Sequence, residues 1–234
     1  MVAVLEKNLA EVRQRMAEAC ARAGRDPASV TLLPVSKTVT PEVIAEAAGL
    51  GLAVFGESRV QEARQKIPLC PGHLEWHFIG HLQTNKVREA ARLFVKVHAV
   101  DSLRLLQAVD GACREEGRRM PVCLEVNVSG ERSKFGLAPA AVPALLDAAN
   151  SCYNVEIVGL MTIPPIAEDA TEARPFFRKL RELREQWRAS AGLALTELSM
   201  GMSHDFEIAI EEGATCVRLG TILFGGRKGP ADGT

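Results

Sequence analysis

Short apolar runs alternate along this chain with longer stretches in which apolar residues recur every three or four positions. The runs fall at 31–36, 52–55, 76–79, 95–100, 122–128, 155–160, 196–200 and 216–219. Several are continuous rather than alternating, as strands covered on both faces are. Helical spacing falls between them, at 41–48, 59–65, 85–91, 103–116, 139–149, 173–189 and 206–212. Ahead of the first run, Val4, Leu5, Leu9, Val12 and Met16 put one apolar face on a helix over 2–23. Local punctuation agrees. Thr40 is placed to cap a helix, Pro41 suits its first position and Gly49 its end.

Eight strand–helix units predict an α/β fold, a single-domain (β/α)8 TIM barrel with an additional N-terminal helix. The rival is an open doubly wound sheet. Its nucleotide-binding version is weakened because no G-x-G-x-x-G follows the first strand. No change in composition marks a linker, so the expected domain is 1–228, with a flexible tail at 229–234 in the glycine-rich, charged ending.

Charge narrows the partners. The 234 residues carry 28 basic and 29 acidic side chains, net −1, which offers no global field for nucleic acid or acidic lipid. No run is long and apolar enough for a membrane span, and the charged N-terminal helix lacks a signal-peptide core. Six scattered cysteines without C-x-x-C read as reduced thiols, which places the protein in the cytoplasm.

Polar residues then collect at the ends of the predicted strands, where barrel active sites lie. Lys37 closes "VTLLPVSKT". Alternation puts Leu33, Val35 and Lys37 on one face, so if the first two point into the barrel the amine points in above them. A positioned lysine amine condenses with an aldehyde to an imine; the alternative is a solvated strand end. Pro34, which has no ladder N–H, is unusual in a central strand. "AVFGESR" brings Glu57, Ser58 and Arg59. "EWHFIGHLQTNK" brings His77, then His81, Gln83, Asn85 and Lys86. "CLEVNVSGERSKFG" sets Glu125 and Asn127 on one parity. Arg218 sits inside the short apolar strand of "CVRLGT".

Histidines 73, 77 and 81 do not make a metal site, because i, i+4 ligation needs a helix and "WHFIG" reads as a strand. "GERSKFG" lacks the G-K-[ST] of a phosphate loop. The last two strands offer more. Gly201 and Ser203 follow strand seven, and Gly220 and Thr221 end strand eight. Glycine N–H groups, hydroxyls and a helix start suit a phosphate, which barrels bind there. Asp205 and Glu207 repel an anion, leaving the binding to the backbone. The plain reading is a capped turn and an ordinary strand end. Amine, guanidinium and phosphate cup together describe a ligand with an aldehyde, a ring and a phosphate, which pyridoxal 5′-phosphate (PLP) satisfies. A guanidinium at its ring nitrogen stays protonated, leaves that nitrogen unprotonated and weakens the electron sink.

"VSKT", "FGESRVQEA", "WHFIGHLQTNK", "VNVSGERSKFG", "GLMTI" and "LSMGMSHDFEIAIEEGATCVRLGTILFG" resemble the pyridoxal phosphate homeostasis protein family (YggS/PROSC), itself similar to the barrel domain of alanine racemase. The resemblance runs from about residue 35 to 225. It implies a cofactor carrier in vitamin B6 homeostasis that holds PLP as an internal aldimine on Lys37 without robust turnover. It assigns Arg218 to the pyridine nitrogen, and Ser203, Gly220 and Thr221, with Ser199 and Met200, to the phosphate side. Ser58 stands where the family more commonly has asparagine, and Pro34 is a further departure.

Other readings stay open. One is a weak PLP-dependent amino-acid racemase or lyase, with His77, His81, Glu57 or Lys86 as base. Against it, the single tyrosine, Tyr153, precedes strand six on the rim away from the site, and no second domain closes the pocket. The other is a barrel that binds proteins without cofactor. The missing second domain also favours a monomer, with PLP-dependent client enzymes as partners.

Overall fold

The computed structural model describes residues 2–131 and 133–225. Eight parallel strands form one sheet in the order β1-β8-β7-β6-β5-β4-β3-β2. They are β1 Thr31–Pro34, β2 Val54–Glu57, β3 Glu75–Phe78, β4 Lys96–Val100, β5 Met120–Glu125, β6 Val155–Met161, β7 Glu197–Ser199 and β8 Cys216–Leu219. At the seam β1 meets β2 through one bridge, Val35 to Gly56, so the barrel is nearly closed. The open doubly wound alternative is thereby excluded.

Helices surround the sheet: α1 Val2–Arg22, α2 Pro41–Gly49, α3 Val60–Lys66, α4 Val87–Leu93, α5 Leu103–Glu115, α6 Val142–Ala148, α7 Arg174–Ala191, α8 Phe206–Glu211 and α9 Thr221–Phe224. Their apolar stripes and the outer faces of the strands form the main core, anchored by Phe55, Phe78, Phe94, Phe177 and Phe206. A smaller apolar cluster of Ala99, Cys123 and Met161 lies apart from it. The barrel lining also carries polar side chains, with Lys96, His98, Ser199 and Arg218 all buried.

The N-terminal helix buries Leu5, Leu9, Val12, Met16 and Ala19 along one face as its spacing predicts, but Val4, expected on that face, is exposed. It packs on α8 and α9, tied by Arg15 to Glu207 at 2.8 Å, Arg22 to Glu211 at 2.7 Å, and Asn8 Nδ2 to the Leu223 carbonyl at 2.9 Å.

Several boundaries differ from the sequence reading. The second strand lies at Val54–Glu57 rather than 52–55, because buried Glu57 finds partners on the helix side. The fifth ends at Glu125, where Val126 leaves to bridge Leu137. Thr40 caps α2 without its side chain, and Gly51 at φ +88°, not Gly49, takes the left-handed turn that ends it. Helix α9 has only four residues, too few for periodicity to show. Gly159 is required by close approach: a Cβ there would lie 2.2 Å from the Glu197 carbonyl oxygen. Among the described residues no helix is long and apolar enough to cross a membrane. The tail expected at 229–234 lies outside the described residues.

Candidate functional site

Strand β1 delivers Lys37 to the rim at the C-terminal ends of the strands. Leu33 pairs in register with Arg218, and Leu33 and Val35 are buried. Alternation would carry Lys37 in above them, but the chain turns first. Lys37 and Thr38 form a turn with Thr38 at φ +64°, and Lys37 is exposed. Its side chain lines a cleft of about 420 Å³. Gly220 and Thr221 border the same cleft, and Val4, Leu5 and Asn8 of α1 wall its outer side.

The residues flanking Lys37 are held. Ser36 N–H donates to the Gly56 carbonyl at 3.0 Å, and its Oγ donates to Glu57 Oε1 at 2.7 Å. Lys66 Nζ, from α3, donates to the Ser36 carbonyl at 2.7 Å, Glu57 Oε1 at 2.8 Å and Glu62 Oε1 at 2.6 Å. Glu62 Oε1 also accepts from Thr38 N–H at 2.6 Å. Glu57 is therefore not a rim residue open to a ligand; it is fully buried on the helix side of β2. Burial pushes its carboxyl up despite Lys66 and Ser36. Burial would do the same to Glu62, but Lys66 and Thr38 N–H outweigh it and hold that carboxyl below its usual range.

Inside the barrel, Arg218 is 4% exposed. Nη1 donates to the Ser199 carbonyl at 2.6 Å and to Ser199 Oγ at 2.8 Å, and Nη2 donates to the Thr162 carbonyl at 3.0 Å. Ser199 Oγ lies 2.8 Å from His98 Nδ1, and His98 Nε2 lies 3.0 Å from His77 Nδ1. The guanidinium only donates, so Ser199 Oγ accepts from it, and the tautomer of His98 sets the direction of its bonds to Ser199 and His77. Both imidazoles are neutral. Burial, then Lys96, lowers His77 to about 4, and burial with His77 and Lys96 beside it takes His98 well below the usual range. Lys96 pairs with Glu197 below them. Burial also pushes the thiols of Cys123 and Cys216 up to about 12 and about 11, so neither is a nucleophile. Lys96 and His98 were missed from sequence. Their signal was the i, i+2 polar parity of "KVHAV", concealed by an otherwise apolar strand.

On the proposed phosphate side, the N–H groups of Gly220 and Ile222 converge on Ser203 Oγ at 3.3 and 3.4 Å. The two acids expected to repel an anion are engaged elsewhere. Asp205 Oδ1 accepts from Met202 N–H at 2.6 Å, and Glu207 pairs with Arg15. Met200 is fully buried in the main core and its N–H donates to the Cys216 carbonyl, so neither its side chain nor its N–H faces the cleft. Ser199 lies beneath Arg218 rather than beside Gly220.

The remaining polar candidates divide. Ser58, Arg59, His81, Gln83 and Lys86 line a separate cleft of about 260 Å³. Glu125 is 7% exposed at the end of β5, and burial with Asp101 nearby raises its carboxyl to about 7 against the pull of Arg218. Asn127 braces its own loop through Ser129, Gly130 and Glu131. Tyr153 is 80% exposed ahead of β6, at the opposite rim.

A lysine amine, convergent backbone N–H groups and hydroxyls share or adjoin one cleft. A buried guanidinium lies beside β1, with an Nε that bonds no described protein group. This donor set fits an aldehyde-bearing aromatic phosphate ester.

Residues 5–228 match the family described as alanine racemase, N-terminal domain. A pyridoxal phosphate homeostasis protein of Aquifex aeolicus is 48% identical over 223 residues, 95% of this chain and 98% of its own. Among solved structures, PipY of Synechococcus elongatus PCC7942 with PLP bound is 38% identical with a TM-score of 0.82, covering 94% of this chain and 100% of that one. An unknown protein from Bifidobacterium adolescentis has a TM-score of 0.88 at 35% identity, covering 95% of each chain.

Proposed function

The chain belongs to the pyridoxal phosphate homeostasis proteins, within the alanine racemase N-terminal domain family, and from that premise we propose that it is a PLP carrier that holds the cofactor covalently through Lys37. The observation that carries this reading is the shared cleft, which sets the only lysine at the end of β1 beside the Gly220–Thr221 turn. When bound, PLP supplies an aldehyde that condenses with a primary amine, losing water, and a ring that withdraws electrons.

In this reading Lys37 Nζ takes the aldehyde carbon. Ser203, Gly220 and Thr221 would hold the phosphate, and Arg218, whose Nε–H no described protein group uses, would face the ring nitrogen. Ser199 acts from below, by fixing Arg218. Arg218 keeps its own proton, so the ring nitrogen receives none and the electron sink stays weak. Tyr153 is too far round the barrel to serve as a second base, which supports holding the cofactor over turning over amino acids. The six cysteines are free thiols, as expected of a cytoplasmic protein. Residues 1–228 act as one PLP-binding domain, a monomer that supplies PLP-dependent client enzymes.

Titration with PLP, followed by absorbance, tests this. The wild type is expected to bind at micromolar PLP with a shifted absorbance band, and Lys37→Ala is expected to lose the band. Prolonged incubation with single L-amino acids and chiral analysis should show no robust turnover. Turnover that disappears in Lys37→Ala would move the assignment to a racemase or lyase.

A further inference from the structure

The carrier reading gives Lys37 its role but leaves a buried ion cluster next to it without one. Lys66 is the last residue of α3 and its side chain is 8% exposed, with Glu57 at 0% and Glu62 at 25%. Burying an ammonium and a carboxylate this deeply is costly, and Glu57 Oε2 has no hydrogen-bond partner among the described residues. An ammonium has three protons, and all three are directed at acceptors: the Ser36 carbonyl, Glu57 and Glu62. Of these groups, one is the residue before Lys37. Glu62 then reaches the residue after it, through Thr38 N–H. The cluster therefore grips the backbone on both sides of Lys37 and leaves the lysine itself untouched.

The turn needs such a grip. Thr38 is at φ +64°, a conformation that a β-branched residue rarely adopts and that persists only where the surroundings impose it. Without it the chain would continue from Val35 as extended backbone, and Lys37 would leave the cleft it shares with Gly220 and Thr221. An apolar contact would fill space between α3 and the strand ends equally well, and replacing buried ion pairs by apolar groups is often neutral for stability. What the ion cluster adds is direction, because two of its bonds end on backbone atoms of the Lys37 turn, the Ser36 carbonyl and the Thr38 N–H.

We propose that Lys66, Glu57 and Glu62 are positioning residues for Lys37, which clamp the Ser36–Thr38 turn in its strained left-handed form and so aim the amine into the PLP cleft. This rests on the carrier reading for what Lys37 does, but not for what holds it. It also gives a role to the "FGESRVQEARQK" segment, whose acids and lysine face away from the cleft.

Two measurements test the clamp. In PLP-free protein, Glu62→Ala should speed hydrogen exchange at Thr38 N–H about tenfold or more, since that amide loses a charged acceptor. The same variant should weaken PLP binding by about tenfold, the effect of one charge-assisted bond, while its thermal midpoint stays close to wild type. Adding Thr38→Gly should recover most of the lost affinity, because glycine adopts the left-handed turn without a clamp. Lys66→Met strands Glu57 in the interior and can fail to fold, so it is made together with Glu57→Gln; the double variant should match Glu62→Ala. The clamp is overturned if Glu62→Ala binds PLP as wild type does, or if Thr38→Gly restores nothing. A wild type that forms no Lys37 adduct defeats the carrier reading instead, and Thr38 exchange still decides whether the clamp exists.

Discussion

Single residues carry the chemistry, and two of them make predictions at their own scale. Glu125 has its carboxyl raised to about 7 by burial and Asp101, against about 4.3 in an unfolded chain. The folded state therefore binds the extra proton between those values. Its stability falls as pH rises from about 4.3 to 7, by about 4 kcal/mol in total. Glu125→Gln should abolish that slope: urea midpoints should match wild type at pH 5 and exceed it at pH 8. Identical pH profiles for the two proteins would contradict the buried-acid assignment. The second concerns His98. Long-range ¹H–¹⁵N spectra should show a neutral ring, unchanged from pH 5 to 8. Ser199→Ala should change that pattern, because it removes the hydrogen-bond partner of Nδ1. Lys37 itself was legible from the parity of β1 only up to Val35. The turn at Thr38, which no pattern in "VSKT" announces, puts the amine at the rim rather than above the interior layer.

At the scale of elements, hydrophobic periodicity found all eight strands and every helix but α9, because each strand carries a short apolar run and each longer helix has one stripe. Strand boundaries failed where a polar residue is buried. Glu57 reads as the beginning of a loop, yet it extends β2 because Lys66 and Ser36 bond its Oε1 on the outer side. Those partners are 9 and 21 residues away, beyond any local rule. The interior chain from Arg218 to His77 was hidden for the same reason: its members come from β8, β7, β4 and β3. Gly159→Ala tests the packing of β6 on β7. Its Cβ would meet backbone rather than a movable side chain, so a loss of about 2–4 kcal/mol in chemical denaturation is expected. A change below about 0.5 kcal/mol would mean that the two strands sit farther apart than described.

For the whole molecule, the barrel brings ends of distant strands to one rim, and α1 closes the side of the cleft where Lys37 lies. Segments separated by about 180 residues in sequence, "VSKT" and "RLGT", become neighbours because β1 pairs with β8. That closure made the candidate site readable: once the fold was a barrel, Lys37, Gly220 and Thr221 had to share a rim. Which inner residues support them could not be read the same way, since that depends on register. The assignment of Lys37 as the amine that holds PLP is tested most directly by loading the purified protein with PLP, reducing with borohydride and mapping the modified peptide. A single pyridoxyl group is expected on Lys37, absent when Lys37 is alanine. A modification on another lysine, or none at saturating PLP, would contradict it.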